Sequence, residues 1–82
     1  MPISKKTYSE IENQFLKNIG FKVQFLRKKA GMSQLELAEK ADLSYATISH
    51  LESTAVYGLS IVAIYRIANA LGVEPHHLMK FD

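Results

Sequence analysis

Residues 33–52 read SQLELAEKADLSYATISHLE, and apolar residues recur along them at helical spacing except at one place. Leu35, Leu37, Ala38 and Ala41 form one run; Leu43, Ile48 and Leu51 form a second. Between the runs, Asp42, Leu43 and Ser44 read as a stop followed by a start. The stretch therefore predicts two short helices joined by a tight turn, not one long helix. Ser33 with Glu36 three positions on is a capping box for the first helix, each side chain satisfying an orphan amide of the first turn. Ser44 caps the second, which runs to about Glu52 or Ser53. Two helices held at a large angle can brace the second from behind and still leave one of its faces open.

The same reading extends outward in both directions. Ser9 and Glu12 form another capping-box pattern, and Ile11, Phe15, Ile19, Val23, Leu26 and Ala30 follow at spacings of three and four. Gly20 costs about 1 kcal/mol inside a helix, which allows a kink or a second start near Asn18. Gly31 ends this segment as a left-handed cap. After the loop STAVYGL, Ser60 caps a helix whose apolar stripe is Ile61, Ile64, Tyr65, Ile67, Ala68 and Leu71, stopped by Gly72. Pro75 suits the first position of a fifth helix, with Leu78, Met79 and Phe81 as packing residues. The expected fold is all-α with five short helices. Residues 1–17 read as an N-terminal extension, helical from about Ser9, and residues 18–82 as the folded domain.

Composition sets the outer limits. A chain of 82 residues buries about 60–65% of its unfolded surface, enough for one modest core. Without cysteine there are no disulfides or thiolate metal sites, and nothing argues for secretion. The longest apolar stretch, residues 59–64, is too short to cross a bilayer, and no signal-peptide h-region precedes it. The expected location is the cytoplasm. The formal charge of +2 says little by itself, but Lys17, Lys22, Arg27, Lys28 and Lys29 crowd one segment while the acids are scattered.

The pieces IGFKVQFLRKKAGMSQLELAEKADLSYATISHLE and LSIVAIYRIANALGVEPHHLM resemble the phage-repressor and Cro-like (XRE-type) helix-turn-helix family. The Gly, Val, Leu-Arg, Gly, Ser-Gln, Leu-Ala, Ile-Ser and Glu positions fall at the family's spacing from about Asn18 to Met79. The resemblance implies a five-helix, lambda-repressor-like DNA-binding domain with the helix-turn-helix at helices 2 and 3. In size the chain is similar to mobile-element repressors and restriction–modification controller proteins. In such domains the first helix of the motif crosses the DNA backbone and the second probes the major groove.

By that resemblance, Gln34 matches a phosphate-contacting glutamine at a helix N-terminus, where amides and dipole favour an anion. Ile48 and Leu51 point inward, leaving Tyr45, Ala46, Ser49 and His50 outward as the base-reading set. Ala46 suits a thymine methyl and His50 a base edge. Ser44, Thr47, Ser53 and Lys28 are expected on phosphates. The third helix has no Arg or Lys, so the common bidentate guanine contact is missing, and lysines elsewhere must supply the salt-dependent part of affinity.

Arg27 and Glu52 match a family pair that forms a structural salt bridge. Asp42 departs from the family's usual Gly, but Asp tolerates the left-handed conformation. The loop 53–59 departs further, with Thr54, Ala55, Val56 and Tyr57 where basic and Gly residues are common. It either packs on a partner subunit or offers only amides and the Tyr57 hydroxyl to DNA. Leu78, Met79, Phe81, Val56 and Tyr57 are the expected dimer interface; the plainer reading has the first three closing the monomer's own core. Residues 1–17 either lengthen the first helix or act as a basic arm through Lys5 and Lys6.

Other chemistry is excluded by geometry. Ser49, His50 and Asp42 supply the residue types of a catalytic triad, but adjacent helical residues point about 100° apart. His76 and His77 are adjacent and expected to diverge, unlike a chelating i, i+4 pair. No Gly-rich phosphate loop or cofactor motif is present. The expectation is a cytoplasmic, non-enzymatic, sequence-specific regulator of transcription that binds double-stranded DNA, with no metal, cofactor, membrane or small-molecule partner. It would act as a homodimer, its third helices about 34–36 Å apart on an inverted repeat. The alternative is a protein-binding module, antitoxin-like or adaptor, with weak or secondary DNA binding.

Overall fold

Helical spacing and caps act together to set the elements. The computed structural model describes residues 5–53 and 59–81. Among them are four α-helices, α1 (Lys5–Lys29), α2 (Gln34–Ala41), α3 (Tyr45–Glu52) and α4 (Ile61–Leu71), followed by a closing 3-10 helix (Pro75–Met79). The fold is all-helical. The fifth element differs from the α-helix expected: its five residues close with i to i+3 bonds such as His77 N–H to the Glu74 carbonyl at 2.9 Å. So short a segment satisfies its few amides better in this tighter form.

Three of the predicted serine caps, Ser33, Ser44 and Ser60, are in place; the Ser9–Glu12 box is not a cap, because α1 already begins at Lys5 and Ser9 lies inside it. The Ser33 hydroxyl accepts from the Glu36 amide at 3.0 Å, and the Glu36 carboxylate accepts from the Ser33 amide at 2.9 Å. Ser44 and Ser60 accept from the amides of Thr47 and Ala63 in the same way. Asp42 adopts φ 55° and ψ 47°, the left-handed conformation, and its amide and that of Leu43 reach back to the carbonyls of Glu39 and Ala38. This is the chain reversal that α2 needs to stop and α3 to start.

α1 runs unbroken through Gly20, with no second start, and is already helical at Ser9. The reason for glycine lies in a distant segment. A Cβ at Gly20 would overlap the Leu51 carbonyl oxygen, so the end of α3 lies directly against the α1 backbone. Absence of a side chain sets the spacing of these two helices.

Ile19, Val23, Leu37, Ile48, Ile67 and Leu78 are the large, fully buried side chains, drawn from all five elements. From Glu10 onward, the first buried position on α1 is Ile19; Ile11 and Phe15, in line with it by spacing, are exposed. On α4 the buried face is Ala63, Ile67, Ala68 and Ala70, while Ile61, Val62 and Tyr65 lie outside. Apolar spacing therefore locates the helices, but part of each stripe does not enter the core.

Candidate nucleic-acid interface

α3 is amphipathic in an unusual sense, because its inward face is apolar and its outward face mixes Tyr45, Ala46, Ser49 and His50 with no Lys or Arg. Ile48 and Leu51 are buried; Tyr45, Ala46 and His50 are exposed; Thr47 and Ser49 are half-buried. The four base-reading candidates thus share a helix, with Ser49 set deeper than its neighbours. At the N-terminus of α3 the Ser44 and Thr47 hydroxyls are 2.7 Å apart. At its far end the Ser53 hydroxyl donates to the His50 carbonyl at 3.0 Å.

Behind this face sits a buried ion pair. The Arg27 guanidinium donates from Nε to Glu52 Oε2 at 2.8 Å and from one terminal nitrogen to Oε1 at 2.9 Å. Its other terminal nitrogen donates to the Met32 carbonyl at 2.6 Å. One residue of α1 therefore holds the end of α3 and the loop before α2. The hydrogen bonds to Glu52 raise the Arg27 pKa above its ordinary value, burial opposes the shift, and the Glu52 charge adds to it. Among the described residues no buried side-chain nitrogen or oxygen lacks a partner. The pair meets the condition under which a buried charge is tolerable.

Gln34 joins this network. Its side-chain amide donates to Glu52 Oε1 at 3.2 Å, so the residue matched to phosphate contact also touches the ion pair. A carboxamide has two N–H groups, and one is left to point elsewhere. Lys28, at the C-terminal end of α1, is exposed.

Arg66 is singled out by neither spacing nor motif. From α4 it donates to the Asp42 carbonyl at 3.0 Å, with the Asp42 carboxylate 3.9 Å away. The turn between α2 and α3 is thus held from outside by a third helix. Only a fold that brings α4 under the turn reveals this; the two residues are far apart in sequence.

The residues expected at a dimer interface divide. Leu78 is fully buried in the monomer's core and presents nothing to a partner, whereas Met79 and Phe81 are exposed. Val56 and Tyr57 lie outside the described residues. The Phe81 ring meets Phe15 of α1 edge-on, with centroids 5.7 Å apart. His76 and His77 do not diverge as expected: their rings meet edge to face at 4.6 Å between centroids. Adjacent Cα atoms are only about 3.8 Å apart, so two exposed rings can swing together despite diverging Cβ vectors. No group of three or more His, Cys, Asp or Glu among the described residues could hold a metal ion. No helix among them is long and apolar enough to cross a membrane.

With this geometry in hand, known proteins offer a comparison. A family model described as helix-turn-helix matches residues 23–78. No curated protein sequence matches the chain. Among solved structures, it is similar to the restriction–modification controller protein C.AhdI from Aeromonas hydrophila, at 32% identity and a TM-score of 0.72 over 77% of this chain and 94% of that one. A hypothetical transcription factor, NHTF, from Neisseria is similar at 26% identity and a TM-score of 0.77, over 84% and 78% of the two chains. A further restriction–modification controller protein, C.Esp1396I, is 26% identical, with a TM-score of 0.68 over 83% and 96%.

Proposed function

The chain belongs to the helix-turn-helix family of DNA-binding transcription regulators, and we propose that it works as a cytoplasmic homodimer on an inverted-repeat operator. In this reading α2 and α3 are the helix-turn-helix pair, residues 18–82 are the DNA-binding domain, and residues 1–17 are an N-terminal extension that lengthens its first helix from Lys5 onward. α3 enters the major groove. Tyr45, Ala46, Ser49 and His50 read base edges, with Ala46 suited to a thymine methyl. Gln34, Ser44, Thr47, Ser53 and Lys28 hold phosphates. The protein needs no metal or cofactor and catalyses no reaction.

The observation that carries this reading is the bracing of α3. Its inner face is buried in the core, its C-terminal end is tied by Glu52 to Arg27 and Gln34, and its outer face is solvent-exposed. A helix so held can present side chains to a groove with little loss of conformational freedom on binding.

Dimerisation follows from the weakness of one half-site. A recognition helix without Arg or Lys gives modest discrimination alone, and a second half-site roughly doubles the contact free energy. With Leu78 inside the core and Phe81 against Phe15, the proposed dimer surface centres on α4. Ile61 is 85% exposed, Val62 57% and Tyr65 56%, an apolar cluster at the start of one helix. Met79 and the loop carrying Val56 and Tyr57 would extend it.

Selection from a randomised DNA pool at about 150 mM salt, near physiological ionic strength, tests the proposal. Enrichment of an inverted repeat with half-sites about one helical turn apart is the expected result. A folded dimer that enriches no sequence would sink it and leave a protein-binding module.

A further inference from the structure

The chemistry of base edges leaves α3 few ways to read a sequence. In the major groove guanine is taken by a bidentate Arg or Lys, adenine by a bidentate Asn or Gln, and cytosine by an accepting carboxylate. Residues 45–52 contain no Lys, Arg, Asn or Gln. Their one carboxylate, Glu52, is buried and bonded to Arg27 through both oxygens. Gln34, the one carboxamide in residues 33–52, has its side-chain nitrogen on the same carboxylate. Each of the standard polar contacts is therefore either missing from α3 or engaged inside the domain.

Single hydrogen bonds decide less. The Ser44 hydroxyl accepts from the Thr47 amide at 3.1 Å and lies 2.7 Å from the Thr47 hydroxyl, so these two groups are engaged with each other at the start of the helix. A hydroxyl or a neutral imidazole both donates and accepts, and Ser49 and His50 can each meet more than one base in this way. Ala46 is different. It is exposed at the second residue of α3, and the first residues of a recognition helix are those that contact base edges. Its methyl neither donates nor accepts, and its apolar counterpart in the major groove is the thymine C5-methyl. Tyr45 beside it is 53% exposed and offers ring carbons to a neighbouring methyl.

We propose that α3 selects its half-site through pyrimidine C5-methyl groups, one against the Ala46 methyl and a neighbouring one against the Tyr45 ring. This selectivity rests on the major-groove placement of α3 proposed above, and it names the chemistry by which that placement discriminates. The ligand is duplex DNA with C5-methylated pyrimidines at these positions. Thymine supplies the methyl in ordinary DNA. Uracil lacks it, while 5-methylcytosine carries the same group at the same place in the groove. The protein therefore distinguishes thymine from uracil and 5-methylcytosine from cytosine, two differences to which base pairing is blind.

The test uses the full chain and the operator enriched from the random pool, remade with deoxyuridine in place of each thymidine of one half-site in turn. At the positions facing Ala46 and Tyr45, loss of the methyl should weaken binding by about fourfold, the worth of one buried methyl. At the same positions 5-methylcytosine paired with guanine should bind about fourfold tighter than cytosine paired with guanine. In Ala46→Gly the deoxyuridine loss should vanish at one position and persist at the other, a coupling that a merely structural role for Ala46 does not produce. Tyr45→Ser should give the converse pattern, and it serves alone should Ala46→Gly lose helical content. An operator in which every deoxyuridine binds like thymidine overturns the proposal and leaves the major-groove reading intact. A loss that both variants leave unchanged does the same. A pool that enriches no sequence overturns both.

Discussion

Gln34 and Glu52 are joined by a side-chain hydrogen bond of 3.2 Å between the first residue of α2 and the last of α3. The same Glu52 oxygen accepts from Arg27. A single carboxylate therefore fixes the position of a proposed phosphate contact relative to the proposed recognition helix. At the other end of α3, Arg66 holds the turn through the Asp42 carbonyl. The orientation of α3 is set at both ends by groups that are not on its outer face.

Removing one partner of the ion pair should be far worse than removing both. Arg27→Met leaves a buried carboxylate with only Gln34, and loses about 3–5 kcal/mol of stability. Arg27→Met combined with Glu52→Leu should lose clearly less than the sum of the single changes. Urea denaturation of the four chains decides it; additive losses would mean the pair is not coupled.

Gly20→Ala offers a test of sign. In an exposed helix this change stabilises by about 1 kcal/mol. Here the added methyl meets the Leu51 carbonyl, and forcing helices apart in a packed core costs about 1–3 kcal/mol or more. The variant should melt lower than the parent. A higher melting temperature would show that the close approach of α1 and α3 is absent in solution.

Asp42 should tolerate only residues at ease in the left-handed conformation. Asp42→Gly or Asp42→Asn should leave stability near or above that of the parent, while Asp42→Val should lose about 1–2 kcal/mol. Arg66→Met, which removes the donor to the Asp42 carbonyl, should weaken the parent and the Asp42→Gly variant alike, because the carbonyl survives in both. Equal stability across the series of Asp42 variants would refute a left-handed turn.

Glu36 links the α2 cap to pH. Its pKa is lowered from the ordinary value of 4.5, first by the Ser33 amide and then by the Ser33 hydroxyl. A carboxylate depressed on folding contributes stability above its unfolded pKa and loses it as pH falls through the folded one. Glu36→Gln should therefore flatten the part of the stability curve that falls from pH 4.5 downward, where the parent protonates this group. Superimposable curves for the two chains in that range would rule out the charged cap.

Base and phosphate contacts should separate by their signatures. His50→Ala should relax preference at particular operator positions, each worth about 1–3 kcal/mol. Lys28→Gln should weaken all sequences alike and lower the salt dependence by about one counterion. Uniform losses for both variants would count against direct readout by α3.

The caps are legible in the sequence because capping is local: Ser33 with Glu36, and Ser44 with Thr47, lie within one helical turn. Asp42 is legible for the same reason, its conformation being demanded by the stop and start around it. The Arg27–Glu52 pair comes only from resemblance, since nothing in either neighbourhood names a partner 25 positions away. Gly20 reads as a weakness because its explanation, the Leu51 carbonyl, belongs to another helix. Spacing alone does not say which of the two apolar faces of α1 enters the core. Ile11 and Phe15 align with Ile19 and Val23 on paper, yet both stay exposed, Phe15 with its ring against Phe81 at the chain's far end.

α1 is an uninterrupted rod of 25 residues that meets the end of α3 backbone to backbone at Gly20. Such a rod has no hinge with which to absorb a push, and the contact at Gly20 has no side chain to act as a cushion. A force applied to its N-terminal half must be passed on as a tilt about that point. The N-terminal half of α1 and α3 then stand as the two arms of a lever, with Gly20 as the fulcrum.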